Sequence, residues 1–98
     1  MFKVDEFEIP AYVKYKPRTR YRVLWIDQFN DAKQLGECCY DSKQIVLKKS
    51  MKPRQAFWVL FHELLHAISF EKDLNLTEKQ VETIEMEFER LVKLNKWF

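Results

Sequence analysis

Ninety-eight residues, 47% hydrophobic and 15% aromatic, carry a formal net charge of only +2. This composition excludes a disordered or low-complexity chain, leaves room for one core over residues 1–98 and not for two, and gives no global reason for a polyanionic partner. No apolar run approaches the ~20 residues of a membrane span and no apolar leader follows Met1, so no membrane partner is expected.

From the N-terminus, residues 1–9 alternate only in part and read as a loose strand or arm, followed after Pro10 by a short extended piece around Tyr12–Tyr15 that ends at Pro17. Residues 14–22 hold five basic side chains and no acid. Lys14, Lys16, Arg18, Arg20 and Arg22 recur at every second position, the strand period, so they read first as the wet face of a strand. Nucleic-acid contact there is a weaker reading and is not favoured.

Tyr21–Phe29 is rich in β-branched and aromatic residues and is the clearest strand, with Tyr21, Val23 and Trp25 on one face and Leu24 and Ile26 on the other. Gly36 marks the entry to a hairpin in which 37–40 and 44–48 flank the turn residues Asp41-Ser42-Lys43. Cys38 and Cys39 are adjacent. A vicinal pair is too strained to bridge readily and lacks the spacing of a zinc knuckle, so both are expected as free thiols in a reducing cytoplasm.

A helix is predicted from about Pro53 to Phe70, capped by Ser50, with Phe57, Leu60, Leu64 and Ile68 as the face against the sheet. A second is predicted from Thr77, which forms a capping box with Gln80, to about Leu94, with Val81, Ile84, Phe88, Leu91 and Val92 as its core stripe. The link between them, Glu71–Leu76, is short enough to make an antiparallel hairpin of helices. The predicted class is α+β: a small, mainly antiparallel sheet of three to four strands against two helices.

The first helix holds His62-Glu63-Leu64-Leu65-His66, and both histidines of the chain fall inside this pentapeptide. Positions i and i+4 share a helix face, so two imidazoles can converge on one ion, Zn2+ by their chemistry. Glu63, one step round, is placed to take a proton from water as general base. The apolar residues on both sides suit a buried metal-bearing helix better than two histidines on a solvated face.

A catalytic zinc needs a third protein ligand. Glu78, Glu82, Glu85 and Glu89 form an acidic stripe on the second helix. In a helical hairpin centred near residue 74, Glu82 lies opposite His66 and is the leading choice, with Glu78 and Glu85 as alternates. Glu71 ranks below them. Ser69 and Lys72 stand where a metzincin has its glycine and third histidine, so that pattern does not apply.

The order of elements, with Gly36–Leu47, Phe61-His62-Glu63-Leu64-Leu65-His66-Ala67-Ile68 and Leu76-Thr77-Glu78-x-x-Val81-Glu82, resembles the small zincin-like metallopeptidases of bacteriophages and mobile elements, akin to the ImmA/IrrE proteins. The resemblance spans roughly residues 36–95, and its one sharp motif is His-Glu-x-x-His. It implies a zincin-like fold, zinc on His62, His66 and Glu82 or Glu78, and Glu63 as base. On the last helix Val81-Glu82-Thr83-Ile84 replaces the small-residue segment of larger members.

These readings give a zinc-dependent hydrolase of a peptide or protein substrate. An extended substrate is expected to add beside the strand ending in Ile45-Val46-Leu47. The alternative is a non-catalytic protein of the same fold that binds another protein or nucleic acid, with zinc in a structural role.

Overall fold

Apolar content decides which strands lie inside the sheet. In the computed structural model, which describes residues 3–97, β1 (Tyr12–Lys16), β2 (Thr19–Ile26), β3 (Gly36–Cys39) and β4 (Gln44–Lys48) are ordered β1-β2-β4-β3. β4, whose Ile45 and Leu47 are wholly buried, lies inside, and β3, short and carrying Gly36 and Glu37, takes the edge.

The sheet is therefore mixed, not mainly antiparallel. β1 and β2 pair antiparallel, as do β3 and β4, but β2 and β4 run parallel with Val23 beside Ile45 and Trp25 beside Leu47. Residues 27–35 carry the chain past the β4 position before the hairpin turns back, which leaves the more apolar arm next to β2. The hairpin turn closes at Lys43, whose φ of 54° is left-handed.

No strand forms at the N-terminus of the described segment. Val4–Glu6 is a 3-10 turn, in which Val4 and Phe7, three apart, reach the same side. Val4 is buried, and Phe7 meets Phe57 edge to face at 5.3 Å. Met1 and Phe2, part of the expected strand or arm, lie outside the described residues.

α1 (Pro53–Glu71) begins at Pro53, as its fixed φ favours, with Lys52 and not Ser50 at the cap position. Its buried stripe includes Ala56, Leu60, Glu63 and Ala67, and Leu60 and Ala67 pack on Tyr21, Val23, Ile45 and Leu47 of the sheet. Of the expected face, Leu60 is buried and Leu64 packs against this core, while Phe57 meets Phe7 and the stripe extends toward Glu63 and Ala67. Ile68 is left 38% exposed.

α2 (Glu78–Leu94) has the complete capping box of Thr77 and Gln80. Val81 and Val92 are buried, whereas Ile84, Phe88 and Leu91 stay partly open to solvent, so only one edge of the expected stripe is covered. Phe88 stacks on Phe61 of α1, with centroids 5.2 Å apart. Between the helices, Leu76 N–H donates to Ser69 Oγ at 2.9 Å. The midpoint of the helical hairpin thus lies between Lys72 and Asp73, earlier than Leu74, and Glu78 is drawn level with Ala67. At the end of α1, Glu71 accepts from Tyr21 Oη at 2.7 Å and pairs with Lys43 Nζ, tying the helix to the sheet. Among the described residues, no helix is long and apolar enough to cross a membrane.

Candidate metal centre

His62 and His66 stand one turn apart on the side of α1 that faces α2, with ring centroids separated by 5.1 Å. One carboxylate meets both. Glu78 Oε1 lies 2.6 Å from His62 Nε2, and Glu78 Oε2 lies 2.8 Å from His66 Nε2. A ligand atom from each of the three residues falls within 4.8 Å of the others. Two imidazole nitrogens and a carboxylate oxygen are donors that zinc accepts, so this group could hold the ion.

The structure groups Glu78, not Glu82, with the two histidines. The earlier midpoint of the helical hairpin explains the difference: it shifts α2 along α1 so that its first turn, not its second, lies beside His66. Glu82 lines the same cavity but makes no hydrogen bond to either imidazole among the described residues. Glu85 takes a different place. Its Oε1 lies 2.8 Å from His62 Nδ1, across the ring from Glu78. A carboxylate there holds the Nδ1 proton and presents Nε2 to the shared centre. Glu71, the lowest-ranked candidate, is committed to Tyr21 and Lys43.

These contacts set the charge state. The hydrogen bond to Glu85 raises the pKa of His62 above the ordinary histidine value, and the surrounding carboxylates add to it against the effect of burial. A metal entering here has to displace the proton on Nε2.

Glu63 faces the other way, toward the sheet, and is 8% exposed. Burial pushes its carboxyl well above the usual range, while His62 pulls in the opposite direction. It makes no side-chain hydrogen bond among the described residues and borders the same cavity, of about 750 Å3, as the two histidines. Asp31, Glu37, Glu78, Glu82 and Glu85 also line that cavity, with Lys33 as their one cationic counterpart besides the histidines. Cys38 stands on its wall as a free thiol, pushed up to about 12 by burial and by Glu63, and so is neutral at physiological pH.

Gly36 is the element of the site that sequence reasoning read only as a strand entry. A Cβ at this position would lie 2.6 Å from Val59 Cγ1 and 3.2 Å from both Cγ and Oε2 of Glu63. Its φ is not left-handed, so the need is for space, not for conformational freedom. As the chain's only glycine, standing inside a strand pattern, it carried the ordinary signal of close approach.

No protein-family model, curated protein or solved structure matches this chain.

Proposed function

We propose that the chain is a zinc-dependent peptidase of zincin-like fold, with His62, His66 and Glu78 as ligands and Glu63 as general base. The observation that carries the reading is the convergence of His62, His66 and Glu78, with the buried carboxylate of Glu63 bordering the same cavity. When bound, zinc supplies a Lewis acid that polarises a carbonyl and acidifies water. Glu63 takes a proton from the attacking water and delivers it to the leaving amine nitrogen. Its raised pKa suits both transfers near neutrality, since a base poised close to the working pH can also return the proton.

The substrate edge is β3, not β4. β4 is enclosed between β2 and β3, so the strand with Ile45-Val46-Leu47 cannot accept another. Lys48 N–H donates to Leu35 C=O, and by antiparallel alternation Leu35, Glu37 and Cys39 turn their backbone groups toward β4. Gly36 and Cys38 then turn theirs to the free edge, where a peptide adds as a further strand. The side chain of Gln34 already donates to Gly36 C=O at 3.1 Å, so the N–H of Gly36 and both groups of Cys38 are the points of attachment.

The test is metal content followed by hydrolysis. Protein purified with zinc present should hold about one ion per chain, His62→Ala should lose it, and a mixed peptide pool should be cut by the parent alone. A fully folded protein that takes up no zinc overturns the reading.

A further inference from the structure

The sheet has two faces, and the proposed metal centre uses only the one under α1. On the other face, Tyr12 and Lys14 of β1 and Arg20 and Arg22 of β2 point to solvent and are exposed, while a register shift after Lys14 turns Lys16 to the side of Thr19. The register sets Lys14 directly opposite Arg20 and Tyr12 opposite Arg22. Like charges in directly opposed positions destabilise a strand pair, yet neither strand contains an acidic residue to relieve them. None of Lys14, Lys16, Arg18, Arg20 and Arg22 makes an ion pair among the described residues. With a chain total of +2, these five cations leave a net −3 on everything else, so the positive charge is concentrated at β1, β2 and the turn that joins them.

We propose that this outer face of β1 and β2 binds a single strand of nucleic acid. Arg20 and Arg22 stand about 6.6 Å apart along β2, two strand residues, and with Lys14 beside Arg20 they form a track suited to a backbone of repeated phosphates. Tyr12, half exposed, adds an aromatic face beside that track, and the Arg20 guanidinium lies over its ring at 5.2 Å. A base can stack on this pair, as aromatic and guanidinium planes stack unpaired bases. A sheet face is too broad to enter a duplex groove, whereas an extended strand with splayed bases can lie across it. The Pro17-Arg18 turn leaves one end of the track open, and the free edge of β1 leaves one side open.

The inference does not depend on the metal centre, which is tested separately. Fluorescence anisotropy with a labelled oligothymidylate, at 50 to 200 mM salt, measures it directly. With about four phosphates neutralised, log K should fall with log salt at a slope of about −3. Lys14→Gln/Arg20→Gln/Arg22→Gln should weaken binding at least tenfold and flatten the slope, Tyr12→Ala should weaken it several-fold with the slope kept, and Glu63→Gln should bind as the parent does. Circular dichroism of each variant establishes that the exposed substitutions leave the fold intact. No binding at 50 mM salt overturns the proposal. So does binding that the triple variant retains, or a duplex or heparin bound as tightly as the single strand.

Discussion

Glu85 holds His62 by Nδ1, at 2.8 Å, on the opposite side of the ring from Glu78. Two glutamates from the same helix therefore serve one imidazole in different ways: Glu78 from the first turn shares the centre where a metal would sit, and Glu85, two turns on, fixes how the ring is presented. Substitution should separate them. Glu85→Ala is expected to weaken zinc binding by about 10–100-fold, the usual cost of losing a partner behind a ligand, and Glu85→Gln by less, since its carbonyl can still accept from Nδ1–H. Glu78→Ala should lose more than either, and Glu82→Ala should stay near the parent. Titration against a chromogenic chelator ranks them, and parent-like affinity in Glu78→Ala would remove Glu78 from the site.

Glu63→Gln should keep its zinc and lose hydrolysis by about 10^2–10^4-fold, the range for a positioned general base. The amide fits the space under Gly36 but cannot take the proton. Metal stoichiometry and peptide turnover on the same preparation check it, and undiminished turnover would exclude Glu63 from the chemistry.

The helices were legible in the sequence because their signals are local. Pro53 at the first turn, the Thr77–Gln80 capping box and the His62/His66 spacing each depend on residues within one turn of each other. The order of the strands was not legible. Whether β4 pairs parallel with β2 depends on how residues 27–35 cross the sheet, and no residue in that segment states its path. The choice among Glu82, Glu78 and Glu85 was open for a related reason. It depends on how far α2 is displaced along α1, which is set by the link, where Leu76 N–H donates to Ser69 Oγ, and by packing such as Phe61 on Phe88. The exposed flank of α2, with Ile84 and Leu91, was equally hidden, since periodicity identifies an apolar stripe but not how much of it a partner covers.

Acid should weaken the join between α1 and the sheet. Lys43 and Tyr21 both bind the Glu71 carboxylate and lower its pKa below the ordinary value. A depressed carboxylate contributes stability that is present above its unfolded pKa and lost as pH falls through the folded one. The parent should therefore lose stability as pH falls below about 4, and Glu71→Gln, lacking that group, should show a shallower dependence there while being less stable at neutral pH. Urea unfolding at a series of pH values measures both effects, and superimposable profiles would show that the cluster contributes nothing.

Gly36→Ala tests whether β3 is pressed against α1. The added methyl would stand 2.6 Å from Val59 Cγ1, closer than carbon atoms approach, and 3.2 Å from the Glu63 carboxylate. Either β3 lifts from the helix or Val59 and Glu63 give way, and overpacking of this kind costs about 1–3 kcal/mol. Urea denaturation should show that loss in Gly36→Ala. Val59→Ala alone should also destabilise, by creating a void, but Gly36→Ala/Val59→Ala should be more stable than the sum of the two, because the new methyl occupies space that the old one vacated. The same double variant should regain part of any turnover lost in Gly36→Ala, since Glu63 and the free edge of β3 return toward their places. Additive losses in the cycle would mean that β3 adjusts around the methyl without engaging Val59, and that Gly36 is not what sets the space over Glu63.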